Sequence, residues 1–353
     1  MNHKERVLAA INLEEPDRIP ISPSGFHKIV LEKLFMYFNV NDTIELYKKL
    51  DLDAIIVSIA DGMITYPKNF IPKELPNGSL INEWNVRYIV PPDRDHIFIE
   101  HPIKNWEDLD KYSFPDPYNY YRFIEIEEIV NKYSEEYAIV ASIDFGLFEK
   151  ACLLRGISPF LMDLYKNPIF VEKILNKLTE FDSKLIDELC KYDIDIFFGS
   201  DDLGTQHSLF FPPEIFRKFF KERWRKLLEI PRNKRIPIMF HSDGNIEKII
   251  PDLIDIGVNI LNPIQPRALN PKIVKEKYGE KIAQWGTIDI QYTLPFGTIN
   301  DIMNEVLNRI KNIGYDGGLV LAPSHTILPD VPIENYLAFI IAAKKYGIYP
   351  IKI

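Results

Sequence analysis

The stretch IPIMFHSDGNIEKIIPDLIDIGVNIL, residues 236–261, contains one full repeat of the architecture. It opens with an apolar run at 236–240 and closes with another at 258–261. Successive residues are apolar in the first and, but for Asn259, in the second, the pattern of strands covered on two faces. Between them Ile246, Ile249, Ile250, Leu253 and Ile254 recur at helical spacing, which predicts an amphipathic helix over 245–256 with Gly257 to end it. Strand, helix and second strand in that order make the unit from which parallel sheets are built.

The alternation continues in both directions. Apolar runs at 18–22, 54–59, 138–143 and 194–199 precede this unit, and runs at 282–285 and 318–321 follow it. Helical patterns separate them, with long ones at 168–190, 213–230 and 299–313. Eight such runs predict an α/β protein of the (β/α)8 TIM barrel type, with 1–353 as a single domain. An open doubly wound sheet would more often carry a glycine-rich phosphate loop after its first strand, and none is present. Residues 67–117 break the rhythm, and 79–100 alternates as a β-hairpin does. This predicts an insertion over the barrel mouth after the second strand.

The composition excludes several functions. The net charge of -9 is spread along the chain, whereas a nucleic-acid binder needs a concentrated basic face. No apolar run reaches the roughly 18 residues of a membrane span. The two cysteines, Cys152 and Cys190, fall in helical sequence and imply neither a disulfide scaffold nor a CxxC metal site. The charged, helical N-terminus lacks an apolar signal-peptide core, so the cytoplasm is the expected location.

In a barrel of this type, chemistry sits where the strands end. Ser24 follows the first run, Asp61 the second and Asp144 the third. Asp201, Asp202 and Gln206 follow the fourth, and His241 and Asp243 the fifth. Asn262 and Gln265 follow the sixth, Asp289 the seventh and His325 the eighth. Aspartates brought this close repel, so either some are protonated or a cation lies among them. The plainer alternative is that aspartates after strands cap the next helix, and Asp202, Asp243 and Asp289 admit both readings. His241 and Asp243 can reach one ligand, and with His325 they form a candidate nitrogen–oxygen zinc site. Asp201 and Asp202 are candidates for general acid or base, with Gln206 orienting substrate. Arg87, Arg155 and Arg267 are candidate carboxylate clamps.

The chain resembles the uroporphyrinogen decarboxylase superfamily, which includes corrinoid-dependent methyltransferases. ERVLAAINLEEPDRIPI (5–21) resembles its opening helix and first strand, and LDAIIVSIAD (52–61) its second strand. IDFGLFEKACLLRG (143–156) resembles its third-strand segment. SDDLGTQHSLFFPPEIFRKFF (200–220), the blocks 240–266 and 278–289, and GGLVLAPSHTILPDVPIENYLAF (317–339) resemble the methyltransferase-like branch. The resemblance implies that Asp61 lies over substrate pyrroles and that His325 is the histidine near the last strand. Two departures stand out. The loop SPSGFHK (22–28) lacks the arginine pair with which true decarboxylases hold their substrate's carboxylates. The methyltransferases' zinc-binding His-x-Cys pair is His241-Ser242-Asp243 here, and the later cysteine position falls near Ser324-His325.

The resemblance therefore implies methyl transfer between a small methylated donor and a corrinoid on a partner protein. Asp61, Asp202, His241 and His325 are the expected catalytic residues. Ser24, Asp144, Asp201, Gln206, Asn262, Gln265 and Asp289 would contact substrate, and His241, Asp243 and His325 would hold zinc or, with no metal bound, His241 and His325 would act as acid and base. Tetrapyrrole decarboxylation by Asp61 and His325, and non-catalytic corrinoid or tetrapyrrole binding, are the alternatives. A homodimer is compatible with the resemblance.

Overall fold

A computed structural model describes residues 1–91 and 96–352. In chain order the strands are β1 Ala54–Ser58, β2 Lys73–Glu74, β3 Leu80–Ile81, β4 Arg87–Ile89, β5 Ile97–Glu100 and β6 Ala138–Ser142. They continue with β7 Ile196–Ser200, β8 Ile238–His241, β9 Ile260–Asn262, β10 Ala283–Trp285 and β11 Leu319–Val320. Seven of these form an all-parallel sheet in the order β1-β6-β7-β8-β9-β10-β11, with helices between successive strands. The runs at 236–240 and 258–261 become β8 and β9, paired with His241 opposite Asn262. The helix between them is shorter than predicted, a 3-10 turn Glu247–Ile249 followed by Ile250–Asp255. Pro251 sets that limit, because a residue with no N–H fits only the first turn.

The parallel sheet curls, and its two faces carry separate apolar clusters. Ala54, Val140, Met239, Ile260 and Trp285 belong to one, with Val7, Ala10 and Ile11 of the helix His3–Ile11 packed among them. The alternate residues Ile55, Ile139, Phe240 and Leu261 belong to the other, together with the buried faces of the surrounding helices. Period-two alternation with both faces buried is why these strands read as continuous apolar runs.

The run at 18–22 differs from expectation. It contributes one parallel bridge, Ile21 to Leu321, and no full strand. Pro20 within it and Pro23 just after it have no N–H for a ladder. It still lies between the outer strands. The Leu321 N–H donates to Pro20 O at 2.9 Å and the Asp53 N–H to Ile21 O at 2.7 Å. The buried Asp53 carboxylate fixes it further, accepting from Ile21 N–H at 2.8 Å and from Arg6 and Arg18, each at 2.7 Å. The result is a TIM-barrel-like α/β fold.

In place of a single hairpin over 79–100, a four-stranded antiparallel sheet runs β2-β3-β4-β5. The expected hairpin residues 92–95 lie outside the described residues. This sheet rests on the loops after β1 and β6. The Trp84 indole N–H donates to Asp61 O at 2.8 Å, and Phe98 meets Phe145 edge-to-face at 6.5 Å. Among the described residues no helix is long and apolar enough to cross a membrane.

Candidate metal and acid–base site

Five of the seven parallel strands, β1 and β6 to β9, present apolar residues to the cluster around Val140 and Met239 and end on a polar one. Ser58 lies opposite Ser142, Ser200 opposite His241, and His241 opposite Asn262. The last inward position of a strand lies beyond the packed core, so a polar group there escapes burial without a partner.

His241 is held in one tautomer. Its Nδ1 lies 2.7 Å from Asn262 Oδ1, and the Asn262 amide nitrogen donates to Trp285 O at 3.2 Å. With the amide nitrogen committed to a carbonyl, Oδ1 must face the ring, and Nδ1 must carry the proton. In the neutral ring this leaves the Nε2 lone pair free. Nε2 faces Asp202 Oδ1 at 3.7 Å and Asp243 Oδ1 at 4.0 Å. One ligand atom from each of Asp202, His241 and Asp243 fits within 4.8 Å of the others.

Two glycines bring the carboxylates together. A Cβ on Gly204 would lie 2.4 Å from Asp243 O, and one on Gly244 would lie 2.5 Å from Thr205 O. The loops after β7 and β8 therefore touch backbone to backbone, and the Asp243 N–H donates to Asp202 Oδ1 at 2.8 Å. Gln265 steadies the same turn by accepting from Gly244 N–H at 2.7 Å. Asp243 caps no helix, because its Oδ1 is buried without a hydrogen-bond partner. Burial and the nearby Asp202 push its carboxyl above the usual range, against the pull of His241 and His325.

His325 lies at the rim of the group, its Nε2 3.9 Å from Asp243 Oδ2 and its ring centroid 6.4 Å from that of His241. Both histidines line one cavity of about 220 Å³, with Ser24, Asn262 and Ser324. Ser24 donates from Oγ to Pro323 O at 2.6 Å.

Other expected site residues are engaged elsewhere. Asp201 is fully buried and caps the helix Leu147–Arg155, accepting from the Phe148 and Glu149 N–H groups and from the Trp224 indole. The helix's own N-cap is Gly146, where a Cβ would lie 2.6 Å from Asp201 Cβ. Asp289 accepts from Arg267 Nε at 2.9 Å and from Gln291 N–H at 2.8 Å. Gln206 accepts from the Gln291 side chain at 3.2 Å. Asp61 is fully buried, takes the Met63 N–H at 2.9 Å and lies 3.9 Å from the buried Lys150 ammonium. Asp144 accepts from the Ser58 hydroxyl and from Thr65 Oγ1, the latter at 2.7 Å. Burial and the neighbouring Asp61 push its carboxyl up to about 7. The candidate clamps are paired within the chain, Arg155 with Asp163, Arg267 with Asp289 and Arg87 with Glu100.

Sequence inspection missed Glu149. It lines a second cavity of about 480 Å³, which also reaches Asp202. Burial and the charges of Asp202 and Asp201 push its carboxyl well above the usual range, and its Oε2 lacks a partner. The available signal was an acid in the first turn of a helix that directly follows a strand.

An imidazole and two carboxylates at the strand ends of a TIM-barrel-like fold define a site able to hold a divalent cation or to move protons. Residues 85–346 match the family model described as uroporphyrinogen decarboxylase (URO-D), and the chain belongs to that family. It is similar to the methylcobamide:CoM methyltransferase MtaA of Methanosarcina barkeri, 24% identical over 194 residues, which cover 55% of this chain and 54% of that protein. It is equally similar to a uroporphyrinogen decarboxylase of Campylobacter jejuni, 24% identical over 185 residues, 50% of this chain and 49% of that one. The chain thus spans about half the length of the curated relatives it matches. Among solved structures, a methyltransferase from Methanosarcina mazei superposes with a TM-score of 0.74 at 21% identity, covering 98% of this chain and 99% of that one. At that identity the likeness shows a shared fold.

Proposed function

We propose that the chain belongs to the methyltransferase-like branch of its family and moves a methyl group from a small O-methylated donor to a corrinoid carried by a partner protein. In this reading, 18–22 acts as the first strand of a closed (β/α)8 ring, and the antiparallel sheet sits beside its mouth. The supporting observation is the His241 Nε2 lone pair, held toward Asp202 and Asp243 by Asn262.

One imidazole and two carboxylates are a donor set that zinc accepts, and the unpartnered Asp243 Oδ1 fits the same demand. Asp202, His241 and Asp243 would hold the ion. The set differs from the expected one in having Asp202 where His325 was foreseen. A bound zinc would polarise the donor's oxygen and so improve it as a leaving group. Asn262 fixes the imidazole, and its contact to Trp285 O locks the amide in turn. His325, beside Asp243 and open to the cavity, supplies the proton that the departing oxygen takes as its bond to the methyl carbon breaks. Ser24 and Ser324 present hydroxyls in the same cavity.

Decarboxylation is less well supported. Asp61 would have to meet substrate, but it is fully buried against Lys150, and the loop at 22–28 has no arginine pair.

The test is elemental analysis of protein purified without chelators, followed by methyl transfer from O-methyl donors to cob(I)alamin, read by absorbance. About one zinc per chain, lost in Asp202→Asn and His241→Ala, together with donor-dependent methylcobalamin formation, is expected. Absence of metal combined with unaltered behaviour of His241→Ala and His325→Ala refutes the proposal and favours a non-catalytic binder.

A further inference from the structure

We propose that Trp224 is a positioning residue for the metal-binding group. Through Asp201 and Phe240 it sets where the Asp202 carboxylate stands relative to the His241 imidazole. The inference rests on the reading that this group holds a metal ion.

Trp224 lies on the helix Glu222–Asn233, away from any strand end, and its side chain is fully buried. Its indole touches the residue before each of two expected ligands. The N–H donates to Asp201 Oδ2 at 3.0 Å, and the ring meets Phe240 edge-to-face at 5.0 Å and 79°. Asp201 immediately precedes Asp202, and Phe240 immediately precedes His241. The ring also lies over β7 at Gly199, where a Cβ would come within 3.2 Å of it. A side chain there would crowd the indole off both contacts. One rigid side chain thus spans the ends of β7 and β8, beside the backbone bond from Asp201 N–H to His241 O at 2.9 Å.

Asp202 depends on this frame because little else holds it. Among the described residues its carboxylate accepts one hydrogen bond, from Asp243 N–H at 2.8 Å. Its place is therefore inherited from Asp201. That carboxylate is tied by two elements, by the Phe148 and Glu149 N–H groups of the helix Leu147–Arg155 at 3.0 and 3.1 Å, and by Trp224. Without the indole N–H it is held by one helix alone and follows that helix, carrying the Asp201–Asp202 peptide with it. The approach of the indole is itself a special feature of the chain. A π-helical turn, Phe216–Lys221, joins Pro213–Ile215 to Glu222–Asn233. Such a turn holds an extra residue, which rotates the side chains beyond it by about 100° relative to an uninterrupted α-helix. Arg217 and Lys221 of the turn both pair with Asp252, at 3.0 and 2.8 Å, and pin it from outside. Turns of this kind recur where a helix must present one side chain to a functional site.

The test exchanges Trp224 in the full chain for 3-benzothienylalanine, which keeps both fused rings and puts sulfur in place of the N–H. Zinc affinity is read by chelator competition, and ligand geometry by the visible spectrum of the cobalt(II)-loaded chain. Zinc affinity should fall about 10-fold and the cobalt(II) bands should shift. The melting temperature should fall by only about 2–4 °C, the effect of one lost hydrogen bond to a buried carboxylate. In an Asp201→Asn background the same exchange should change zinc affinity less than about 2-fold, because the path through Asp201 is already cut. Unchanged affinity and bands, or an equal loss in both backgrounds, overturns the proposal. Crystal structures of the metal-free parent and the exchanged chain test it without any ion. The Asp202 carboxylate should move relative to His241 by more than about 0.5 Å, the tolerance of a functional site, and an unmoved carboxylate also overturns the proposal. A parent that binds no zinc, with Asp202 displaced in the exchanged chain, refutes the metal reading and keeps the positioning role. Zinc binding that is indifferent to the exchange does the reverse.

Discussion

Replacing Lys150 with methionine should lower the melting temperature by about 4–7 °C at pH 8. Lys150, Asp61 and Asp182 all have fully buried side chains, and the ammonium lies 2.5 Å from Asp182 Oδ1 and 3.9 Å from Asp61 Oδ2. Methionine keeps most of the volume and removes the only cation among the described residues in direct contact with either carboxylate. Breaking a buried pair from one side costs about 3–5 kcal/mol, because the remaining charge has no counter-ion. Unfolding entropy near 60 °C is about 2.1 cal/mol/K per residue, so a chain of 353 residues changes stability by about 0.7 kcal/mol per degree at its midpoint. The ratio gives the stated shift. Its pH dependence follows from the carboxyls. Burial already pushes Asp61 and Asp182 above the ordinary range, and Lys150 is the main influence holding them down. Without it they rise further. A carboxyl whose folded pKa exceeds its unfolded one stabilises the fold below the unfolded value and loses that contribution as pH rises through the folded value. The deficit should therefore be small at pH 5 and full at pH 8. Thermal unfolding followed by circular dichroism at both pH values measures it. A drop below about 2 °C at pH 8, or one equal at the two pH values, refutes the account of this cluster. Adding Asp182→Leu should restore at least half of the loss, since an apolar pair of similar volume often replaces a buried ion pair without penalty.

Two further outcomes follow from the site. Asn262→Ala should weaken zinc binding about 10- to 100-fold in chelator competition, because the imidazole loses the partner that fixes its tautomer, whereas His325→Ala should leave zinc affinity nearly unchanged. Asp144, pushed up to about 7 from a usual 3.8 by burial and then by Asp61, stabilises the fold at acid pH and loses that contribution as pH rises through 7. Asp144→Asn should thus flatten the dependence of melting temperature on pH between 5 and 8.

The alternation of strands and helices was legible in the chain because it is a local property. Successive apolar residues at 138–143 and the helical spacing at 168–190 are set by which faces are buried, and both became the elements expected. The position of His241 and Asn262 at strand ends was legible for the same reason, since a polar residue ending an apolar run marks the rim of the core. The weak pairing of 18–22 was also written locally, in Pro20 and Pro23, though apolar content alone obscured it.

Only the tertiary structure decided what each strand-end acid does. Asp201 and Asp202 are adjacent in sequence, yet one caps a helix from a neighbouring strand end and the other faces His241. Asp61 and Lys150 are 89 positions apart and neutralise each other in the interior. Glu149 acquires meaning only from the rings of β5 and of the loop after β7 around it. A carboxylate's role depends on which cation, N–H group or cavity lies within a few ångströms, and that neighbour is supplied by chain closure from distant sequence. Periodicity records which face of an element is buried, but it carries no information about what covers that face.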